Sequence, residues 1–476
     1  MKCARLCNFA AMAFLMVWST GGGTARDCEA DDAVSIGSRR ELFVDHYLID
    51  RLEGAAELVL QRPQPQEVVL TTDRPWEGNT SAYFTLFQDG DVYRMYYRGS
   101  HFDETAKKAT HPEVTCYAES RDGVRWTKPD LALVEFDGSK HNNIVWDGVG
   151  SHCLAVFKDS NPDSPDAARY KAMGRGHPTH PKGLYTLTSR DGVHWNLTSE
   201  SPVITEGAFD SQNLAFWDSN VGLYREYHRT FDNGVRHILT GTSTDFVNWT
   251  QPTLLSFPGK PVEHLYTNAV LPYPRAPHLL LGFPTRYLPD EGQRVEPTFM
   301  SSRDGRSFHR WTDAVIPESA PKDRSGNRSN YMAWGLLKLP HNDREYSVYA
   351  TEAYYTGPDS RLRRFTYRVD GFVAVHAATN SGSVLTKPLR FNGAQLSLNA
   401  KTVEGGAVRV ELQDAGGTPI PGYTLSECDS FRGDEIDQVV TWSGNADVGP
   451  LSGEVVRIRF ELQNGDLYAF QFGSKR

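Results

Sequence analysis

Four carboxylates stand where they could act together: Glu77 in Trp76-Glu77-Gly78-Asn79, Asp210 in Asp210-Ser211-Gln212-Asn213, Glu263 in Glu263-His264-Leu265-Tyr266-Thr267-Asn268, and Glu352. Carboxylates converging from separate segments suit a reaction in which one acid protonates a leaving oxygen while another carboxylate assists water or attacks carbon. Asp210 and Glu263 are the expected acid/base pair, with Glu77 or Glu352 as the third carboxylate. Arg98 and Arg286 are expected to contact substrate, together with His152, Gln212, Asn268, Tyr266 and Trp334. Trp76, Tyr354 and Tyr355 add aromatic faces of the kind on which apolar ring surfaces stack. Arg175 and Arg229 fall at matching positions and read more simply as ion-pair partners between repeats. His152 reads as a structural histidine, as an orienting partner of a catalytic acid or as a ligand of a channel metal. His101, His111, His177 and His180 show no zinc-site spacing, so neither metal nor other cofactor is expected.

Positions as distant as 77 and 352 meet only in a fold that gathers far-apart segments, and internal repetition points to one. Ser-x-Asp followed by an aromatic four residues after the Asp recurs at Ser120 to Trp126, Ser189 to Trp195, Ser243 to Trp249 and Ser302 to Phe308. A degenerate fifth copy surrounds Asp370-Gly371-Phe372. Each follows an alternating segment, and Asp-Gly favours a hairpin turn, so the motif is a hairpin tip with an aromatic plug and a structural role. Two further strands precede each tip. The middle ones, Asp91 to Arg98, Arg169 to Arg175 and Leu223 to Arg229, carry an Arg five residues after a Tyr, and His278 to Arg286 is a looser match. The first ones are Ser81 to Phe87, Ser151 to Phe157, Ser211 to Trp217 and Thr267 to Tyr273.

Units of this size, with three recognisable strands and room for a fourth, spell four-stranded blades arranged radially, which protects strand edges by closure. Residues 79–378 are therefore read as a five-bladed β-propeller. The residues just before the innermost strands then crowd the mouth of a central channel, and the middle strands end at the same mouth. After Thr379-Asn380-Ser381-Gly382 an independent set of alternating strands, punctuated by Gly405-Gly406, Gly416-Gly417 and Asn464-Gly465, reads as a β-sandwich over 379–476. Residues 26–78 are read as a lead-in packing on the propeller.

The chain has 476 residues with Lys+Arg 50 and Asp+Glu 59, a net charge of −9 that disfavours a phosphate-backbone partner. No nucleic acid is expected. Lys2 and Arg5 precede the apolar run Phe9 to Trp18, and Gly23-Thr24-Ala25 provides small residues for cleavage, so residues 1–25 read as a secretory signal and the protein as exported. No later run is long enough for an integral membrane segment. Cys28, Cys116, Cys153 and Cys428 are too scattered for a disulfide scaffold.

The Ser-Arg-Asp-Gly-x-x-Trp tips at 120–126 and 189–195, on five repeats followed by a sandwich, resemble the five-bladed β-propeller glycoside hydrolases, notably families 32 and 43. Sialidase boxes separate the Asp from the Gly by one residue, whereas Asp122-Gly123, Asp191-Gly192 and Asp304-Gly305 are adjacent. The resemblance implies three acidic residues on inner strands of the early blades, serving as base or nucleophile, orienting acid and general acid. In the second blade His152 stands where an Asp is expected. The expectation is a secreted glycoside hydrolase acting on a polysaccharide or oligosaccharide. Its rival is a propeller that only binds glycans or proteins, and phosphorolysis or elimination from an acidic sugar also suits carboxylates beside arginines.

Overall fold

The computed structural model describes residues 33–176, 179–316 and 329–475. The proposed signal at 1–25, Cys28 and His177 lie outside them.

The repeated tips show how sequence becomes architecture. At the first, the Ser120 hydroxyl accepts from Gly123 N at 2.9 Å, while Asp122 Oδ1 accepts from Val124 N and Arg125 N at 2.9 and 2.7 Å. The same side-chain turn forms at Asp191, Asp245 and Asp304. The residue after the Asp takes a positive, left-handed φ at Gly123, Gly192 and Gly305. That conformation is open to glycine without steric cost, which is why glycine recurs there. Phe246 holds the same left-handed conformation in its copy and is buried in compensation.

Each tip is also a docking point for the blade before it. Tyr96 donates to Gly192 O (2.8 Å), Tyr227 to Gly305 O (2.8 Å), Tyr273 to Asp370 Oδ1 (2.5 Å) and Tyr349 to Gly123 O (2.7 Å). Phe157 packs edge-on against Phe246 at 5.6 Å. These contacts run from each unit to the next and from the last back to the first, so the repeats close into a ring.

The fold is all-β, a propeller followed by a sandwich. Five four-stranded antiparallel sheets form the propeller. The first blade comprises Ala82–Asp89, Val92–Gly99, Val114–Ser120 and Ile144–Trp146. The second comprises Ala155–Lys158, Tyr170–Arg175, Leu184–Ser189 and Asn196–Leu197, and the third Leu214–Asp218, Leu223–Asp232, Val235–Ser243 and Thr253–Leu254. The fourth, Leu271–Tyr273, Ala276–Gly282, Met300–Ser302 and His309–Arg310, carries a separate three-stranded extension of His264–Leu265, Thr285–Leu288 and Arg294–Pro297. The fifth consists of Tyr331–Met332, Glu345–Glu352, Arg361–Arg368 and, as outermost strand, Gln64–Thr71.

That last strand differs from the expected lead-in. Residues 64–71 complete the fifth blade, so the ring is fastened by strands from opposite ends of its sequence. Val34–Gly37, Arg40–Leu42, Ile49–Gly54 and Glu57–Leu60 join a ten-stranded sheet with the C-terminal strands, and the same stretch packs on the propeller as expected: Leu42 and Val44 belong to its core, and Ser301 donates to Val44 O at 3.3 Å. Val373–Ala377, expected inside the propeller, also pairs into that sheet. The physical reason is a shared core: Ile36, Phe43, Leu48 and Ile49 pack with Leu396, Val410, Phe460 and Phe470, apolar faces that neither segment covers alone. The two longest strands, Gln395–Asp414 and Val455–Gly473, pair through register breaks that bend the sheet over this core.

Among the described residues, Cys116, Cys153 and Cys428 are buried free thiols, and no helix is long and apolar enough to cross a membrane.

Candidate active site

Antiparallel order puts the starts of the first and third strands of every blade, and the ends of the second, at one face. There a cavity of about 690 Å3 opens, walled by Arg98, Glu113, His152, Arg175, Asp210, Arg236 and a group of tyrosines.

At its wall His152, just ahead of the second blade, is held between two carboxylates. Its Nδ1 lies 2.9 Å from both oxygens of Glu113, and its Nε2 lies 3.0 Å from Asp210 Oδ1. The second contact is close but oblique, so Nε2 makes no directed hydrogen bond among the described residues. Arg98, at the end of the first blade's second strand, approaches Glu113 Oε1 at 3.4 Å and donates to Thr80 O and Tyr354 Oη at 2.7 and 2.9 Å. Arg175 and Arg229 stand 3.4 and 3.9 Å from the two oxygens of Asp210. His152 is buried, whereas the Asp210 side chain remains 54% exposed.

These neighbours set the charge state. Burial works to raise the Glu113 pKa, but the hydrogen bond from His152 and the charges around it, those of Arg98 and Arg175 included, outweigh burial and bring it from 4.5 to about 2. Asp210 is held well below the ordinary carboxylate range, chiefly by its contact with His152 and then by Arg175 and Arg229 against the opposing effect of burial. Both carboxylates are therefore ionised at neutral pH, which fits a base or nucleophile and not a waiting proton donor.

An aromatic surround completes the cavity. Tyr331 packs edge-on against Tyr266 and Tyr354 at 5.6 and 5.2 Å, and the Arg98 guanidinium lies over Tyr83 at 4.7 Å. Burial raises the phenols of Tyr83, Tyr331 and Tyr354, so they face the cavity as neutral hydrogen-bonding groups. Tyr83 reaches the channel because its strand is irregular: pairing breaks between Ala82 and Thr85, and Tyr83 adopts a left-handed φ. Gln293 and Tyr355 are left-handed as well, so three cavity-lining non-glycine residues hold that costly conformation.

Of the residues expected from sequence, Asp210, Arg98, His152, Tyr266, Tyr354 and Tyr355 line the cavity. Glu263 does not. It is consumed by Arg286, at 2.7 Å, and by the buried Arg310, which ties the loop ahead of the fourth blade to its strands. Arg286 likewise contacts Glu296 and Thr312 O and is a structural ion-pair partner. Glu77 is buried, accepting from Tyr97 Oη at 2.5 Å and Lys128 Nζ at 2.6 Å. Glu352 is buried between Arg361 and Arg363 at 2.6 and 2.7 Å. Each is a carboxylate saturated by cations or phenol away from the cavity.

Gln212 is a brace: its Nε2 donates to Phe84 O and Thr85 Oγ1 at 3.2 Å, holding the irregular stretch that carries Tyr83. Asn268 turns inward to Tyr227 O (3.3 Å). Trp334 donates to Val270 O (2.8 Å) and lines a separate, mainly apolar cavity at the far ends of the inner strands. Trp76 is bound to Asn143 Oδ1 (2.7 Å) within the first blade. Among the described residues no cluster of three or more His, Cys, Asp or Glu side chains is arranged to hold a metal.

Glu113, Tyr83, Tyr331 and Arg236 were not anticipated. Topology held a signal for two of them: the third strand of a blade starts where the second ends, so Glu113, directly before Val114, and Arg236, at the start of Val235–Ser243, belong to the mouth by the same logic as Arg98.

No family model matches the chain. Two uncharacterized proteins of Mycobacterium tuberculosis, from strains CDC 1551 / Oshkosh and ATCC 25618 / H37Rv, are each 31% identical over 159 residues, a match covering 33% of this chain and 45% of theirs. Among solved structures, a beta-1,2-mannobiose phosphorylase from Listeria innocua is similar at TM-score 0.47 and 11% identity, covering 66% of this chain and 97% of that one. A thermostable family-43 glycoside hydrolase is similar at TM-score 0.44 and 12% identity, covering 65% and 95%. An N-acetylgalactosamine deacetylase from F. plautii is similar at TM-score 0.44 and 10% identity, covering 67% and 97%.

Proposed function

We propose that the protein is an exported carbohydrate-active enzyme that cleaves glycosidic bonds in the tyrosine-lined cavity, with Asp210 as the base that activates water or as the nucleophile. The observation that carries this reading is the Glu113–His152–Asp210 array, three side chains from separate blades held in contact on the wall of a cavity large enough for a sugar ring. Asp210 is ionised, half exposed and positioned by its contacts, as a base requires. Glu113 fixes the imidazole through Nδ1, which turns Nε2 toward Asp210. His152 thereby orients Asp210, and Glu263 takes no part in the pairing expected from sequence. The tyrosines offer ring faces and hydroxyls to a saccharide.

The test is release of reducing ends from a panel of plant and algal polysaccharides by the mature protein and by Asp210→Asn. Release by the parent alone supports the reading. Equal release by both removes Asp210 from the chemistry. Because both carboxylates are already ion-paired, the site also suits a propeller that only binds glycans. Saccharide binding without any release by folded parent protein would establish that second reading.

A further inference from the structure

The cavity and the chain differ in charge. The protein carries −9 overall. A side cleft of about 440 Å3 between the second and third blades shares Arg175 and Asp210 with the main cavity. Together the two spaces are lined by Arg98, Arg175, Lys182, Arg229 and Arg236 against only Glu113 and Asp210 as carboxylates.

Not all of this positive charge is neutralised internally. Arg98 is occupied by Thr80, Tyr354 and Glu113. Arg175 and Arg229 share the single carboxylate of Asp210 at 3.4 and 3.9 Å, looser than a charge-assisted hydrogen bond. Arg236 lies over the Tyr287 ring at 4.2 Å, forms no ion pair among the described residues, and its buried Nε has no hydrogen-bond partner. Lys182 rests its ammonium 5.8 Å over Phe209 and likewise pairs with no described carboxylate. A neutral sugar would leave this excess positive charge unmatched. A carboxylated one supplies its counter-charge, and guanidinium forks match carboxylates in shape as well as sign.

We propose that the saccharide recognised here is a uronate-containing chain. One uronate carboxylate sits in the side cleft against Lys182, Arg175 and Arg229, and the neighbouring unit lies in the main cavity on the Arg236 side. Asp210, which belongs to the walls of both spaces, then stands beside the bond joining the two units. This assignment rests on the glycan-cleaving reading of the same site and names its substrate class.

The test measures calorimetric binding and reducing-end release together on the whole mature protein. Oligogalacturonate and oligoglucuronate are compared with their methyl esters, with a sulfated oligosaccharide, and with a neutral oligosaccharide with and without inorganic phosphate. The expected result is at least tenfold tighter binding of the free uronates than of their esters at low salt, a gap that narrows as salt is raised. Arg236→Gln and Lys182→Gln should each weaken uronate binding about tenfold with an unchanged thermal midpoint. Equal affinity for acid and ester, absence of uronate binding, preference for the sulfated chain, or cleavage of the neutral chain only with phosphate would each overturn the assignment. Uronate binding without bond cleavage would defeat the catalytic reading and leave this one standing. Cleavage of neutral chains with no preference for uronates would do the reverse.

Discussion

The Nδ1 of His152 lies 2.9 Å from both oxygens of Glu113, although the two residues are 39 positions apart and belong to different blades. An imidazole held this way cannot rotate freely, and its second nitrogen is thereby fixed 3.0 Å from Asp210. Glu113 acts through His152 and is a positioning residue.

Glu113→Gln keeps the shape and removes the charge that anchors Nδ1. Turnover should fall about 10- to 100-fold, the size of loss seen when the hydrogen-bond partner of a metal-ligating histidine is removed, with KM changing far less. Steady-state kinetics on any cleaved saccharide separates the two. A change confined to KM would mean that Glu113 contacts substrate instead.

The same residue ties stability to pH. Its folded pKa, about 2, lies below its ordinary 4.5, so its contribution is fully present above about 4.5 and is lost as pH falls toward 2. Thermal midpoints should therefore drop across that window, and Glu113→Gln should show a shallower drop. Parallel curves for the two proteins would contradict the depressed pKa.

Glu263 is expected to serve the fold. Glu263→Gln leaves Arg310, only 1% exposed, without its charged partner, and breaking a buried pair costs about 3–5 kcal/mol. Chemical denaturation should report that loss, whereas saccharide affinity per folded molecule should stay near that of the parent. A folded Glu263→Gln protein of normal stability and no activity would restore Glu263 to the chemistry.

The hairpin tips give a third stability test. Asp191→Ala removes the acceptor of Val193 N and His194 N, at 2.9 and 2.8 Å, and loosens the turn that presents Gly192 O to Tyr96. The cost should be about 1–2 kcal/mol, as for other side chains that satisfy turn or cap amides. Unaltered stability would show that the Asp is dispensable to the turn.

The tips were legible in sequence because their geometry is local. Ser120, Asp122, Gly123 and Trp126 satisfy one another within seven residues, and the Ser and Asp part of that pattern recurs at Asp191, Asp245 and Asp304. The joining of residues 64–71 to the fifth blade and of 34–60 to the C-terminal sheet was not legible. Short alternating strands carry no mark of a partner some three hundred residues away, such as Leu362 for Leu70. Asp210, His152 and Arg98 were found because they mark the start of a first strand or the end of a second. Glu113 carries no such mark, because it closes the insertion ahead of a third strand, a position equally close to the mouth. Glu77, Glu263 and Glu352 were placed near the channel by the same rule, yet local partners turned them away: Lys128, Arg310 and Arg361. Position along a blade is visible in sequence, whereas the competition between an inward ion pair and an open cavity is decided by packing.

The most direct measurement is binding and turnover of one cleaved saccharide by Asp210→Asn beside the parent protein. If Asp210 is the base or nucleophile, the variant should bind within a few-fold of the parent and turn over at least about 100-fold more slowly. Turnover equal to the parent's, in protein that binds equally well, would contradict the account at its centre.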